Sequence, residues 1–109
     1  MAELEDERAA EAMIRTGSDP AGVPVITVSG ELDISNAAML EATVESVAGG
    51  RPEQLIFDMS GLRFMDSAGI AVLLGAASKV GSVHLRHPSE PVRRVVELTG
   101  LADVLTMEP

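Results

Sequence analysis

Apolar and polar positions along the chain change their period several times, and each change marks an element. Residues 1–10 are charged and lack a convincing apolar stripe, so they read as an acidic tail ahead of a domain at 11–109. A brief apolar stretch at 12–15 runs into the turn-rich Gly17-Ser18-Asp19-Pro20-Ala21-Gly22. The β-branched Val23-Pro24-Val25-Ile26-Thr27-Val28 follows, and the two stretches predict a β-hairpin with Pro24 at a strand start or on an edge. That strand runs out at Gly30-Glu31-Leu32-Asp33.

Ser35 or Asn36 then supplies an N-cap for a helix with Ala37, Leu40, Val44 and Val47 on one face. Gly49-Gly50 ends it. Leu55-Ile56-Phe57 is a continuous apolar run suited to a central buried strand, and Asp58-Met59-Ser60-Gly61 reads as the turn that closes it. A second helix opens at Ser67, with Ile70, Leu73, Leu74 and Ala77 at core-facing spacing, and Gly75 inside it reads as a point of close packing on the sheet. Residues 82–86 alternate as a strand. Ser89 and Pro91 open a third helix that turns Val92, Val95, Val96 and Thr99 inward, and residues 104–107 predict a last edge strand. The order β-β-α-β-α-β-α-(β) predicts an α/β fold: a mixed central sheet of four to five strands, with three to four helices packed mainly on one face.

Composition narrows the function classes. A chain of 109 residues supports one core, and with two Phe, no Tyr and no Trp that core must be aliphatic. No apolar run approaches the roughly 20 residues that cross a bilayer, and the N-terminus has no apolar signal region. Without cysteine there is no disulfide, thiol catalysis or Cys-based metal site. These features predict a cytoplasmic protein without membrane insertion. A net charge of −9 and the lack of clustered Lys and Arg weigh against nucleic acid as a partner. The acidic surface fits a basic protein partner, and on charge alone simple solubility is the plainer reading.

The segment Asp58 to Ile70 carries the chemistry. A buried strand ends, a linking stretch follows, and Ser67 sits where a helix begins; sites in α/β sheets gather at such strand ends. Phosphate on that serine would add about −1.5 to −2 charges and three strong acceptors. The helix dipole tolerates this charge and the adjacent Asp66 opposes it. Ala68 and Gly69 leave room for a partner's close approach. Geometry alone leaves open whether Ser67 is a phosphoacceptor or a plain helix cap.

Two motifs in order decide more. Ser29-Gly30-Glu31-Leu32-Asp33 resembles the "GELD" element of the STAS domain (sulfate transporter and anti-sigma factor antagonist), above all of its small bacterial anti-sigma factor antagonists. Phe64-Met65-Asp66-Ser67-Ala68-Gly69 resembles the same family's element around the phosphorylated serine, and Glu97-Leu98-Thr99-Gly100-Leu101 resembles a late segment of it. The resemblance covers about residues 12–107 by element order. It implies partner switching: the unmodified protein binds an anti-sigma factor that is a serine kinase and so frees a sigma factor. The kinase's own ATP then phosphorylates Ser67 and the complex dissociates, and a metal-dependent serine phosphatase resets it. It places Asp33, Met65, Asp66, Ser67, Ala68 and Gly69 in the partner surface. The protein itself would be no enzyme, hold no cofactor and act as a monomer. Ala68 stands where some relatives carry a second hydroxyl, which leaves Ser67 the sole acceptor in the motif.

Other readings are weaker. Met65-Asp66-Ser67-Ala68-Gly69 lacks the first glycine of a hydrolase nucleophile elbow, although His84 or His87 could in principle act as a base. His84 and His87 have no third metal ligand near in sequence, and Gly69 to Lys79 is not a P-loop. Two rivals share the fold. STAS subunits of lipid transporters bind an ABC-transporter ATPase without phosphorylation, and stressosome scaffolds work alongside a sensory domain. The complete Gly30-Glu31-Leu32-Asp33 element favours the sigma-regulatory reading.

Overall fold

A computed structural model describes residues 11–108, so the acidic 1–10 stretch lies outside the described residues. The elements are β1 (Ala12–Ser18), β2 (Pro24–Leu32), α1 (Ala37–Ala48), β3 (Gln54–Met65), α2 (Ser67–Ala77), β4 (Ser82–Arg86), α3 (Glu90–Leu98) and β5 (Leu105–Glu108). The five strands form one sheet in the order β1-β2-β3-β4-β5. β1 is antiparallel to β2, and every later pair is parallel. The hairpin predicted at 12–28 is present: the Asp19 carboxylate accepts the N–H groups of Ala21 and Val23, both at 2.9 Å, and Gly22 takes φ +87° to complete the turn.

The alternate strand positions Ile26, Val28, Leu55, Phe57, Met59, Val83, Leu85 and Leu105 are buried in one cluster. Leu40 and Val44 of α1, Ile70, Leu73 and Ala76 of α2, and Val92 and Val96 of α3 complete it. The helices therefore cover one face. The opposite face carries mainly polar side chains such as Thr27, Asp58, His84 and Arg86, with Ile56 buried among its register neighbours Val25 and His84. A largely parallel sheet with one open face is uncommon.

The expected turn at 58–61 is instead strand. β3 runs on to Met65, and its pairing with β2 shifts register between Thr27 and Ser29 and again between Gly30 and Glu31. The shifts absorb the turn-like residues: the Asp58 carboxylate accepts the Ser60 N–H and hydroxyl, and Gly61 passes so close to Ser29 that a Cβ would lie 2.8 Å from the serine Cβ. Local polar bonding made this stretch read as a turn, and pairing with β2 overrode it. Because β4 pairs only as far as Asp58, the ends of β2 and β3 project as a two-stranded ribbon.

Three smaller expectations change. Thr99 is exposed beyond the end of α3, its hydroxyl donating to the Val95 and Val96 carbonyls. Ser89 occupies the N-cap position of α3 without a side-chain cap bond, and its hydroxyl is buried without a partner among the described residues. Gly75 makes no close approach to the sheet; a Cβ there would find only Lys79 Nζ, 4.0 Å away. Gly75→Ala is therefore expected to stabilise the fold by about 0.5–1 kcal/mol through lower unfolded-state entropy, read as a higher urea midpoint at unchanged slope. An unchanged or lower midpoint would contradict this.

Candidate functional site at the β2 and β3 ends

Leu32 and Met65 are register partners at the ends of parallel strands, and the Asp66 N–H donates to the Leu32 carbonyl at 3.1 Å. The two sequence motifs, separated along the chain by α1, thus leave the sheet side by side, one into the β2–α1 loop and the other into α2.

Each motif residue has a physical task. Gly30 has φ +93°, and a Cβ there would lie 2.3 Å from the Glu11 carbonyl oxygen. The next residue's N–H, that of Glu31, donates to that same oxygen at 2.9 Å, which ties the start of β1 to this ribbon. Glu31 also pairs with Arg63 at 3.5 Å on the surface. Leu32 is fully buried. The half-buried Asp33 shapes the loop: its carboxylate accepts both the N–H and hydroxyl of Ser35, and its carbonyl accepts the Asn36 and Ala37 N–H groups.

Asn36 is the organiser that the sequence reading saw only as a possible helix cap. Its side chain does not cap α1 but turns back, its amide donating to the Glu31 carbonyl at 2.9 Å and its oxygen accepting the Asp33 N–H at 3.0 Å. It is a buried polar residue, which fixes the loop that presents Asp33.

On the second strand the cap of α2 is Asp66, not Ser67. Asp66 has extended backbone angles, and its carboxylate accepts the Ala68 N–H at 2.8 Å. Ser67 is the first helical residue; it is exposed, and its hydroxyl forms no hydrogen bond to another described residue. The plain-cap reading of Ser67 is thereby excluded. Ala68 is half-buried beside it.

Met65 and Gly69, expected in the partner surface, instead form its floor. Met65 is 1% exposed, and a Cβ on Gly69 would meet Met65 Cγ at 2.5 Å and Leu32 Cδ2 at 2.8 Å. Gly69 serves the close packing of α2 on the ribbon, so its room is already filled from within.

Large apolar side chains that the periodicity did not single out are exposed on the segments that meet here: Ile34 (84% exposed) beside Asp33, Phe64 (48%) near the end of β3, and Met39 (53%) in the first turn of α1. The legible signal was Ile34, an isolated apolar residue between two turn-formers. Three shallow clefts of about 450–720 Å³ among the described residues are lined by none of Asp33, Asp66 and Ser67. A projecting surface with exposed apolar groups and a few carboxylates suits a protein partner better than a small molecule, which needs a concave site.

Comparison with known proteins agrees with this geometry. The family model described as "STAS domain" matches residues 18–109. The chain belongs to the STAS domain family. It is 35% identical over 66 residues to the anti-sigma-F factor antagonist RsfB of Mycobacterium tuberculosis, a match spanning 61% of this chain and 54% of that one, so it covers about half that relative's length. It is 29% identical over 89 residues to an anti-sigma F factor antagonist of Paenibacillus polymyxa, covering 77% and 76% of the two chains. The crystal structure of an anti-sigma factor antagonist from Mycobacterium paratuberculosis superposes with a TM-score of 0.83 at 28% identity, over 91% of this chain and 86% of that one. The five-stranded mixed sheet with three helices is thus the STAS fold. Among the described residues no helix is long and apolar enough to cross a membrane.

Proposed function

We propose that this STAS protein is an anti-sigma factor antagonist that acts as a partner switch in the cytoplasm. With Ser67 unmodified, the surface of Asp33, Asp66, Ser67 and Ala68, rimmed by Ile34, Met39 and Phe64, binds an anti-sigma factor that is a serine kinase. The γ-phosphoryl of the kinase's ATP passes to Ser67 Oγ, the hydroxyl proton leaves to a base on the kinase, and the complex separates. A metal-dependent serine phosphatase restores the hydroxyl. The chain supplies the acceptor and the docking surface as a monomer, while ATP and the catalytic groups for transfer belong to the kinase.

One observation carries this reading: Ser67 is the exposed first residue of α2, with an unengaged hydroxyl, immediately after an aspartate that already caps the helix. A serine needed as a cap would have its oxygen occupied; this one is free for in-line transfer. The names of the relatives support the same function.

Phosphosite mapping by mass spectrometry tests it, after incubation of the purified protein with ATP and soluble extract of its source. Phosphate is expected on Ser67 and is expected to vanish in Ser67→Ala. An unmodified Ser67, with an ABC-transporter ATPase recovered on the immobilised protein, would overturn the proposal in favour of a transporter subunit.

A further inference from the structure

A second cluster of reactive groups lies on the open face of the sheet. Ser82 and His84 are two residues apart on β4 and therefore point to the same side. Glu108 comes from β5, where it is the register partner of Arg86. His84 Nδ1 lies 2.9 Å from Glu108 Oε2, and His84 Nε2 lies 3.2 Å from Ser82 Oγ. The other carboxylate oxygen of Glu108 accepts from Arg86 Nε at 3.3 Å.

The chemistry of these contacts sets their direction. A carboxylate only accepts, so in the neutral imidazole the proton sits on Nδ1 and Nε2 is left as the acceptor for the Ser82 hydroxyl. Arg86 holds Glu108 by its second oxygen and so restrains the carboxylate from rotating away. The result is a hydroxyl against a base, and a base oriented by a third group, the arrangement that activates a serine. Ser82 also borders a cleft of about 720 Å³ lined by Gly22, Val23, Pro24, Pro52 and Gln54 among others. Gln54 is the register partner of Ser82 on β3 and brings a carboxamide to the same face, a donor of the kind that stabilises an oxyanion.

We propose that Ser82 is an activated nucleophile that accepts acyl groups from small uncharged esters. Ser82 Oγ forms a bond to the ester carbonyl carbon as its proton passes to His84 Nε2. The ester C–O bond then breaks, and the departing alcohol takes the proton from His84. Glu108 is a positioning residue acting through His84. The open cleft, lined by the apolar Val23, Pro24 and Pro52 together with the acidic residue Glu53, selects small uncharged acyl donors over anionic ones. Ser82 opens β4 and Ser67 follows β3, so the two serines stand at opposite ends of the sheet and this reactivity is separate from the switch.

The test is acylation of the whole protein by p-nitrophenyl acetate, with site-resolved mass spectrometry over time. Ser82 is expected to acylate about 100-fold faster than the exposed Ser60 and Ser78, which lack a histidine partner among the described residues. His84→Gln is expected to remove that advantage, and Glu108→Gln most of it, with partial recovery in Glu108→Asp. Circular dichroism of each variant separates lost reactivity from lost fold. Ser82 acylating no faster than Ser60 and Ser78, or equally fast in folded His84→Gln, would overturn the proposal and leave the cluster as a tie between β4 and β5.

Discussion

Ser67→Glu is expected to weaken binding of the proposed anti-sigma kinase partner by about 100-fold, while Ser67→Ala binds as tightly as the parent and is not released by ATP. The estimate follows from where the charge would sit. Asp66 precedes residue 67, and Asp33 stands on the neighbouring strand end, so the unmodified surface is already acidic. For phosphoryl transfer the γ-phosphate must approach Ser67 Oγ to about 3–3.5 Å. A carboxylate fixed at that point therefore faces phosphate oxygens in a water-poor interface, and such like-charge placement costs several kcal/mol. A cost of about 3 kcal/mol corresponds to about 100-fold in Kd. The fold should hardly notice, because a negative group at the first position of α2 gains about 0.3–1 kcal/mol from the helix N-terminus, offset by repulsion from Asp66. Calorimetric titration of both variants against the kinase with bound nucleotide checks this, with thermal melts as the control. Equal affinity of the two variants would remove Ser67 as the switch.

Most of the architecture was legible because side-chain period reports burial. Ile26 and Val28, Val83 and Leu85, Ala37, Leu40 and Val44 of α1, and Val92 and Val96 of α3 are buried where alternation and helical spacing put them. The expected stripe on α2 shifted toward Gly69, Ile70, Leu73 and Ala76, with Leu74 and Ala77 only partly buried. An apolar helix has too little contrast between its faces for spacing to resolve its orientation. The stretch 58–61 misled for a different reason: Asp, Ser and Gly are turn-formers by local bonding, and only the partner strand reveals that they fill a register shift.

At the site, the two motifs read from the sequence do lie side by side in the fold, but the division of labour among their residues was not legible. Asp66 and Ser67 are adjacent small polar residues, and either could cap; the backbone decides for Asp66. Met65 and Gly69 belong to the motif yet are buried, because a motif records packing constraints together with contact residues. Asn36 escaped since its bonds reach back to Glu31 and Asp33 across the loop, a relation that no periodicity encodes.

Gly30→Ala is the backbone counterpart of the switch mutation, and it is expected to destabilise the fold by about 2–4 kcal/mol. A left-handed φ of +93° strains any residue with a Cβ; such strain contributes about 1–3 kcal/mol. Here the added Cβ also points at the Glu11 carbonyl oxygen from 2.3 Å, with no flexible side chain to yield. Relief requires the start of β1 to move, which breaks the Glu31 N–H bond to that same oxygen, a further loss of about 0.5–1.5 kcal/mol. Gly17→Ala is the control, since a Cβ at Gly17 meets nothing within 4 Å and its φ is not left-handed. Urea denaturation should separate the two variants clearly, and equal midpoints would refute the account of Gly30. The same displacement reaches function, because Glu31 accepts the Asn36 amide that fixes the Asp33 loop. Kinase binding by the folded fraction of Gly30→Ala is therefore expected to fall as well, although residue 30 need not touch the partner.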